Sequence, residues 1–151
     1  MGTFVVTSND TLTLNGHVFI DQPFGDVTKI TFPNALINMK TGKNGNSVLA
    51  GNASGFNADL ELKVLRGSPD DQFMQGLVIT PQGNFPATEL LAGTFSKQLG
   101  DGKGNFKFDV YNLAGGFVSK VPDGKENVDG DTEQGTVSYM VKFANAGRAI
   151  Q

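Results

Sequence analysis

The stretch Phe56 to Gly67, FNADLELKVLRG, alternates without a break: Phe56, Ala58, Leu60, Leu62 and Val64 fall on one side, and Asn57, Asp59, Glu61 and Lys63 on the other. A period of two belongs to a β-strand, whose successive side chains point to opposite faces. One face is therefore suited to a core and the other to water, and the surroundings must be a sheet. Asp59 and Glu61 on the wet side have the chemistry of an acid–base pair. Neighbours two apart on an open face, however, do not confront each other across a substrate as paired catalytic carboxylates must. The ordinary reading is a solvated sheet face.

Immediately before this strand runs NMKTGKNGNSVLAGNASGFN, Asn38 to Asn57, with four glycines, five asparagines and no acidic residue. Long aperiodic loops are uncommon inside compact domains and are usually functional or disordered. The segment from Asn34 to Gly55 is expected to be such a loop. Lys40, Lys43 and the asparagines keep it soluble when free, while Val48, Leu49 and Phe56 are apolar groups to bury against a neighbouring copy of the chain.

Immediately after the strand, SPDDQFMQGLVI (Ser68 to Ile79) reads as the one short α-helix. Ser68 is a good cap, Pro69 suits the first helical position, and Asp70 and Asp71 lie where the helix dipole favours negative charge. Phe73, Leu77, Met74 and Val78 supply an apolar stripe to lay on a sheet. TPQGNFP (Thr80 to Pro86) is then turn material.

The remainder reads as strands. TLTLNGHVFI (Thr11 to Ile20) wraps two short runs around Asn15-Gly16, a strong hairpin signal because both residues tolerate positive φ. DVTKITF (Asp26 to Phe32) is a strand ended by Pro33. ATELLAGTFSKQL, the turn GDGKG, NFKFDVYNLAGGFV and GTVSYMVKFA complete the set, with the charged aperiodic stretch SKVPDGKENVDGDTEQG exposed before the last strand. Asp129, Asp131 and Glu133 in that stretch resemble a calcium loop only faintly, since the twelve-position spacing is not met. Seven or eight strands with one flanking helix make a mainly β protein, a β-sandwich or barrel, in a single domain over residues 1–151.

Composition narrows function further. The 151 residues include twenty glycines, twelve phenylalanines, two tyrosines, one histidine and no cysteine or tryptophan. A thiol nucleophile, a thiolate metal site and redox chemistry are excluded. His17, beside the Asn15-Gly16 turn, lacks the partners of a triad or a zinc site and reads as a packed or solvated side chain. The net charge of −3 argues against a phosphate-binding surface. MGTFVVTSND does not read as a secretory signal, nothing is apolar enough for long enough to span a bilayer, and Val6 stands where a myristoylation signal needs Ser or Thr. GDGKGN opens no helix that could hold a phosphate. With no nucleophile set, metal cluster or cofactor fingerprint, the chain reads as a structural or binding protein, not an enzyme.

The run TFPNALINMKTGKNGNSVLAGNASGFNADLELKVLRGSPDDQFM, Thr31 to Met74, orders a strand, a long glycine-rich loop, an amphipathic strand and a Ser-Pro-capped helix. In that layout it resembles the tail-tube proteins of contractile-tailed bacteriophages, and is similar to the tube proteins of R-type bacteriocins and type VI secretion. The resemblance implies a structural virion protein, made in the bacterial host cytoplasm, that forms hexameric rings whose inner strands join into a barrel and whose stacking builds a channel for DNA ejection. It implies that Asn57, Asp59, Glu61 and Lys63 line the channel, where carboxylates would repel phosphates and let genomic DNA pass without specific binding. It also implies that the loop carrying Lys40, Lys43, Val48, Leu49 and Phe56 stacks rings. The partners implied are the tail sheath, baseplate or tail initiator, tape measure and tail terminator proteins; no cofactor or membrane is implied. The competing reading is a carbohydrate-binding or adhesive β-sandwich, against which stands the shortage of exposed aromatic platforms, since Tyr111 and Tyr139 both fall in strands.

Overall fold

A computed structural model describes residues 2–151 except 24, 26, 125, 127 and 131, with the backbone alone at 80–82 and 133. The fold is mainly β with one α-helix, as the alternation requires. The diagnostic strand becomes β6 (Ala58–Leu65), with Ala58, Leu60, Leu62 and Val64 fully buried and Asp59, Glu61 and Lys63 half-exposed. Burial of each of the larger three aliphatics contributes about 1.5–3 kcal/mol, so this one strand anchors the core.

β6 is flanked by antiparallel partners on both sides, β3 (Thr28–Thr31) and β9 (Thr136–Ile150). The sheet continues through β8 (Phe106–Lys120), β7 (Leu91–Gly100) and β1 (Val5–Leu14) to the two-residue β2 (His17–Val18), in the order β2-β1-β7-β8-β9-β6-β3. One apolar cluster collects Leu12 and Leu14 of β1 with Leu60 and Leu62 of β6, strands four places apart in that order. The sheet therefore curls around its own core. Close approaches make the curl possible: a Cβ on Gly116 would lie within the ring of Phe143, its partner on β9, and one on Gly93 would collide with the Thr13 carbonyl.

The turn between β1 and β2 forms as its dipeptide predicts, with Asn15 at φ 49° and Gly16 at φ 82°. β3 stops two residues short of Pro33; the expected strand start at Asp26 lies outside the described residues. Along β8, Tyr111 and Leu113 turn toward the core while Phe106 and Phe108 stay exposed. The calcium-like trio cannot be placed as a set, since Asp131 and the Glu133 side chain lie outside the described residues.

The helix, α1 (Pro69–Gly83), runs four residues beyond the expected end. TPQG was read as turn because it holds Pro81 and Gly83, yet Pro81 comes only two residues before the terminus. A proline so close to the helix end costs one backbone hydrogen bond, which affects no more than the final turn. At the other end Ser68 caps as foreseen: its Oγ accepts from Asp71 N–H at 3.3 Å, and Asp71 Oδ2 reaches back to accept from Gly67 N–H at 2.9 Å. Met74 and Val78 enter the core, with Phe73 and Leu77 packed beside them.

The segment from Asn34 to Gly55 is not a loop. It is a second, two-stranded sheet of β4 (Ile37–Thr41) and β5 (Ser47–Gly51), followed by a 3-10 turn over Ala53–Phe56. The many asparagines and glycines masked a short alternation, Ile37, Met39, Thr41, and Gly45 at φ 85° shapes the tight turn that returns the chain. Composition spoke for a loop; backbone pairing across Thr41↔Ser47 and Met39↔Leu49 prevailed.

Candidate functional site

The β4–β5 hairpin presents two different faces. Directly opposed residues share a face, so Ile37, Met39 and Leu49 lie on one side with the Thr41 and Ser47 hydroxyls, which are 3.0 Å apart. Asn38, Lys40, Val48 and Ala50 lie on the other. All ten strand residues are exposed, Val48 by 71% and both Met39 and Leu49 by 66%. A lone two-stranded hairpin is marginally stable in water, so its foot is pinned instead. Asn52 Nδ2–H donates to Ala35 O at 2.9 Å, its Oδ1 accepts from the Ser54 hydroxyl at 2.8 Å, and Asn34 Nδ2–H donates to Ser54 O at 3.2 Å. Gly55 is pressed so close to Leu36 that a Cβ would strike its backbone.

The residues expected to stack rings are thus spread over several places. Lys40 and Val48 oppose each other on one hairpin face, Leu49 is on the other, and Lys43 is in the turn. Phe56 sits half-exposed at the foot, beside a shallow hollow of about 340 Å³ bordered by Leu113, Ala114 and Asn145. Sequence reasoning missed Ile37 and Met39, which complete the apolar face. Their alternation was the available signal.

The wet face of β6 holds a mixed charge pattern. Register places Lys29 of β3 opposite Glu61, and Lys142 of β9 opposite Asp59, while Lys63 faces Ser138. Lys29, Lys63 and Lys142 therefore stand among Asp59 and Glu61, so this face carries mixed charge and not the carboxylates alone. Asn57 precedes the strand and closes the 3-10 turn, its N–H donating to Ser54 O at 3.1 Å.

The buried polar groups are structural. Asp70 is fully buried, and its Oδ2 accepts from Ile20 N–H at 2.9 Å and Asp21 N–H at 2.7 Å. Its Oδ1 lies 2.7 Å from His17 Nε2, and the His17 ring stacks on Phe73 at 4.4 Å. His17 is thus packed and paired, a clamp between the β1–β2 hairpin and the start of α1. Tyr139, also buried, donates its hydroxyl to Asp71 Oδ1 at 2.6 Å; burial first, then that carboxylate, push its pKa well above the usual tyrosine value. Among the described residues no three His, Asp or Glu side chains gather as a metal site, and no helix is long and apolar enough to cross a membrane.

What remains is surface. Phe4, Ile20, Phe85, Leu90, Phe106 and Val121 are each more than 60% exposed, in addition to the hairpin. Scattered exposed apolar side chains are ordinary, but contiguous ones mark interaction sites, and of these six Phe85 and Leu90 line one groove. Among the described residues the main sheet also keeps open edges: β2 pairs with β1 at Thr13 and Leu14, Phe19 N–H adds one bond to Leu12 O, and β3 has β6 on one side alone. An open edge is a template for pairing with another chain.

No family model and no curated protein sequence matches the chain. Among solved structures it is similar to Hcp1 from Flavobacterium johnsoniae, with 14% identity over 94% of this chain and 97% of that one and a TM-score of 0.46. At that identity and TM-score the two share a loose backbone outline, so the function proposed below is built on this chain's own surfaces.

Proposed function

We propose that this chain is a structural subunit that assembles into stacked hexameric rings, forming the inner tube of a contractile phage tail and a conduit for DNA. The observation that carries the reading is the β4–β5 hairpin: ten exposed residues with an apolar face, held at the foot by three side-chain hydrogen bonds and left uncovered by the described residues. A cell gains little from an uncovered apolar hairpin unless a partner covers it. Open edges on β1 and β3 support lateral closure of copies into a ring, because closure alone removes edges. The tubes of R-type bacteriocins and type VI secretion would use the same surfaces, and the present features serve all three settings. In the glycan-binding alternative the platforms would be exposed phenylalanines such as Phe4, Phe85 and Phe106, since Tyr139 is buried and Tyr111 packs beside Phe95.

In this reading the Asn57, Asp59, Glu61 and Lys63 face lines the channel. Its mixed charge lets DNA pass by offering no concentrated cationic groove, a weaker device than a repelling acidic wall. Sheath, initiator, tape measure and terminator proteins would meet the remaining surfaces. Sedimentation velocity across a concentration series tests the assembly: the expected result is discrete species far heavier than the 16.0 kDa monomer. A maleimide polymer should label Glu61→Cys in the dilute monomer and be blocked in assembled material. A 16.0 kDa species at every concentration would overturn the assembly reading, and equal labelling in both states the channel assignment.

A further inference from the structure

A second unpartnered surface lies far along the chain from the hairpin. β7 begins at Leu91, paired with Gly116, so β8 runs on from Phe117 to Lys120, irregular at Ser119, with β9 on one side and, among the described residues, no strand on the other. Residues 85–90 stand away from that bare edge, and the gap is a groove of about 460 Å³ walled by Leu77, Phe85, Leu90, Leu91 and Phe117. Phe85 and Leu90 are 76% and 62% exposed. Among the described residues, Glu89 is the one charged residue on its lining.

Three properties of the groove match the hairpin. An open strand edge forms its floor, and both β4 and β5 have an unpaired outer edge, so a hairpin strand can add to β8 through main-chain hydrogen bonds. Its walls are apolar, as is the Ile37, Met39 and Leu49 face. Its lining carries the carboxylate of Glu89, while the hairpin carries Lys40 and Lys43 and no carboxylate. Each hairpin strand, at five residues, is about 17 Å long, enough to cover the bare edge from Phe117 to Lys120.

We infer that the groove between residues 85–90 and the Phe117–Ser119 edge of β8 receives the β4–β5 hairpin of a second copy of this chain. This rests on the proposed self-assembly and names its acceptor. A ridge and a groove at different places on one chain make a heterologous contact, which propagates into rings or filaments instead of stopping at a dimer.

The chain has no cysteine, so single cysteines report contacts cleanly. Met39→Cys and Leu90→Cys proteins, mixed and treated with a short bismaleimide linker, should give a linked heterodimer on the order of tenfold above a mixture of Met39→Cys with Lys103→Cys, because adjacency raises effective concentration. Sedimentation of the same mixtures reports assembly separately. Assembled material whose 39-to-90 linkage equals the 39-to-103 control, or whose links run mainly between two copies of residue 39, would overturn the groove assignment and leave self-assembly standing. Absence of any assembled species would overturn both.

Discussion

Tyr139 illustrates how a single hydroxyl ties strand to helix. Buried in β9, it donates to Asp71 at 2.6 Å, and Asp71 in turn holds Gly67 N–H at the helix start. A phenol whose folded pKa lies above its unfolded value of 10.0 holds its proton more tightly when folded. The stability it contributes is therefore whole below about pH 10 and is lost as pH rises toward the folded value. Tyr139→Phe should lower stability by about 1–2 kcal/mol at pH 7 and flatten the decline of stability above pH 10. Urea titrations between pH 7 and 11.5 check both, and an unchanged alkaline slope would show that Tyr139 does not titrate with unfolding. Ser68, Asp70 and Asp71 were legible in the sequence as cap and dipole residues. That Asp70 would be fully buried among His17 and two backbone N–H groups was not, because those donors lie about fifty positions away in the chain.

At the scale of elements, strict alternation made β6 readable to within two residues, and the Asn15-Gly16 turn was readable because few dipeptides accept two positive φ angles. The hairpin escaped notice for a physical reason: its strands are stabilised by no core of their own, so they lack the long apolar pattern by which a strand announces itself. The same property makes it a discriminating target. Met39→Glu with Leu49→Glu places charge on exposed positions, so the monomer's stability should change by no more than about 0.5 kcal/mol per site. Assembly should nevertheless be lost, because burying two unpaired carboxylates in a contact is costly. Thermal melts and sedimentation of the double variant test the pair of statements; wild-type assembly by this variant would remove the apolar face from the interface.

Over the whole molecule, fold class followed from periodicity, but the arrangement of surfaces did not. Reading β6 alone gave a carboxylate-bearing face; only the register with β3 and β9 sets Lys29 and Lys142 beside Glu61 and Asp59. Likewise the groove exists because β7 starts late against β8, a matter of pairing between distant segments that no local pattern encodes. Under the proposed function, the curled sheet, open edges, exposed hairpin and apolar groove belong to a subunit whose burial is completed by other copies of itself. Negative-stain electron microscopy of the purified protein at the highest soluble concentration examines that claim most directly. Rings with a central hole, alone or stacked into hollow tubes, are the predicted result; uniform monomers, or solid fibrils without a channel, would contradict it.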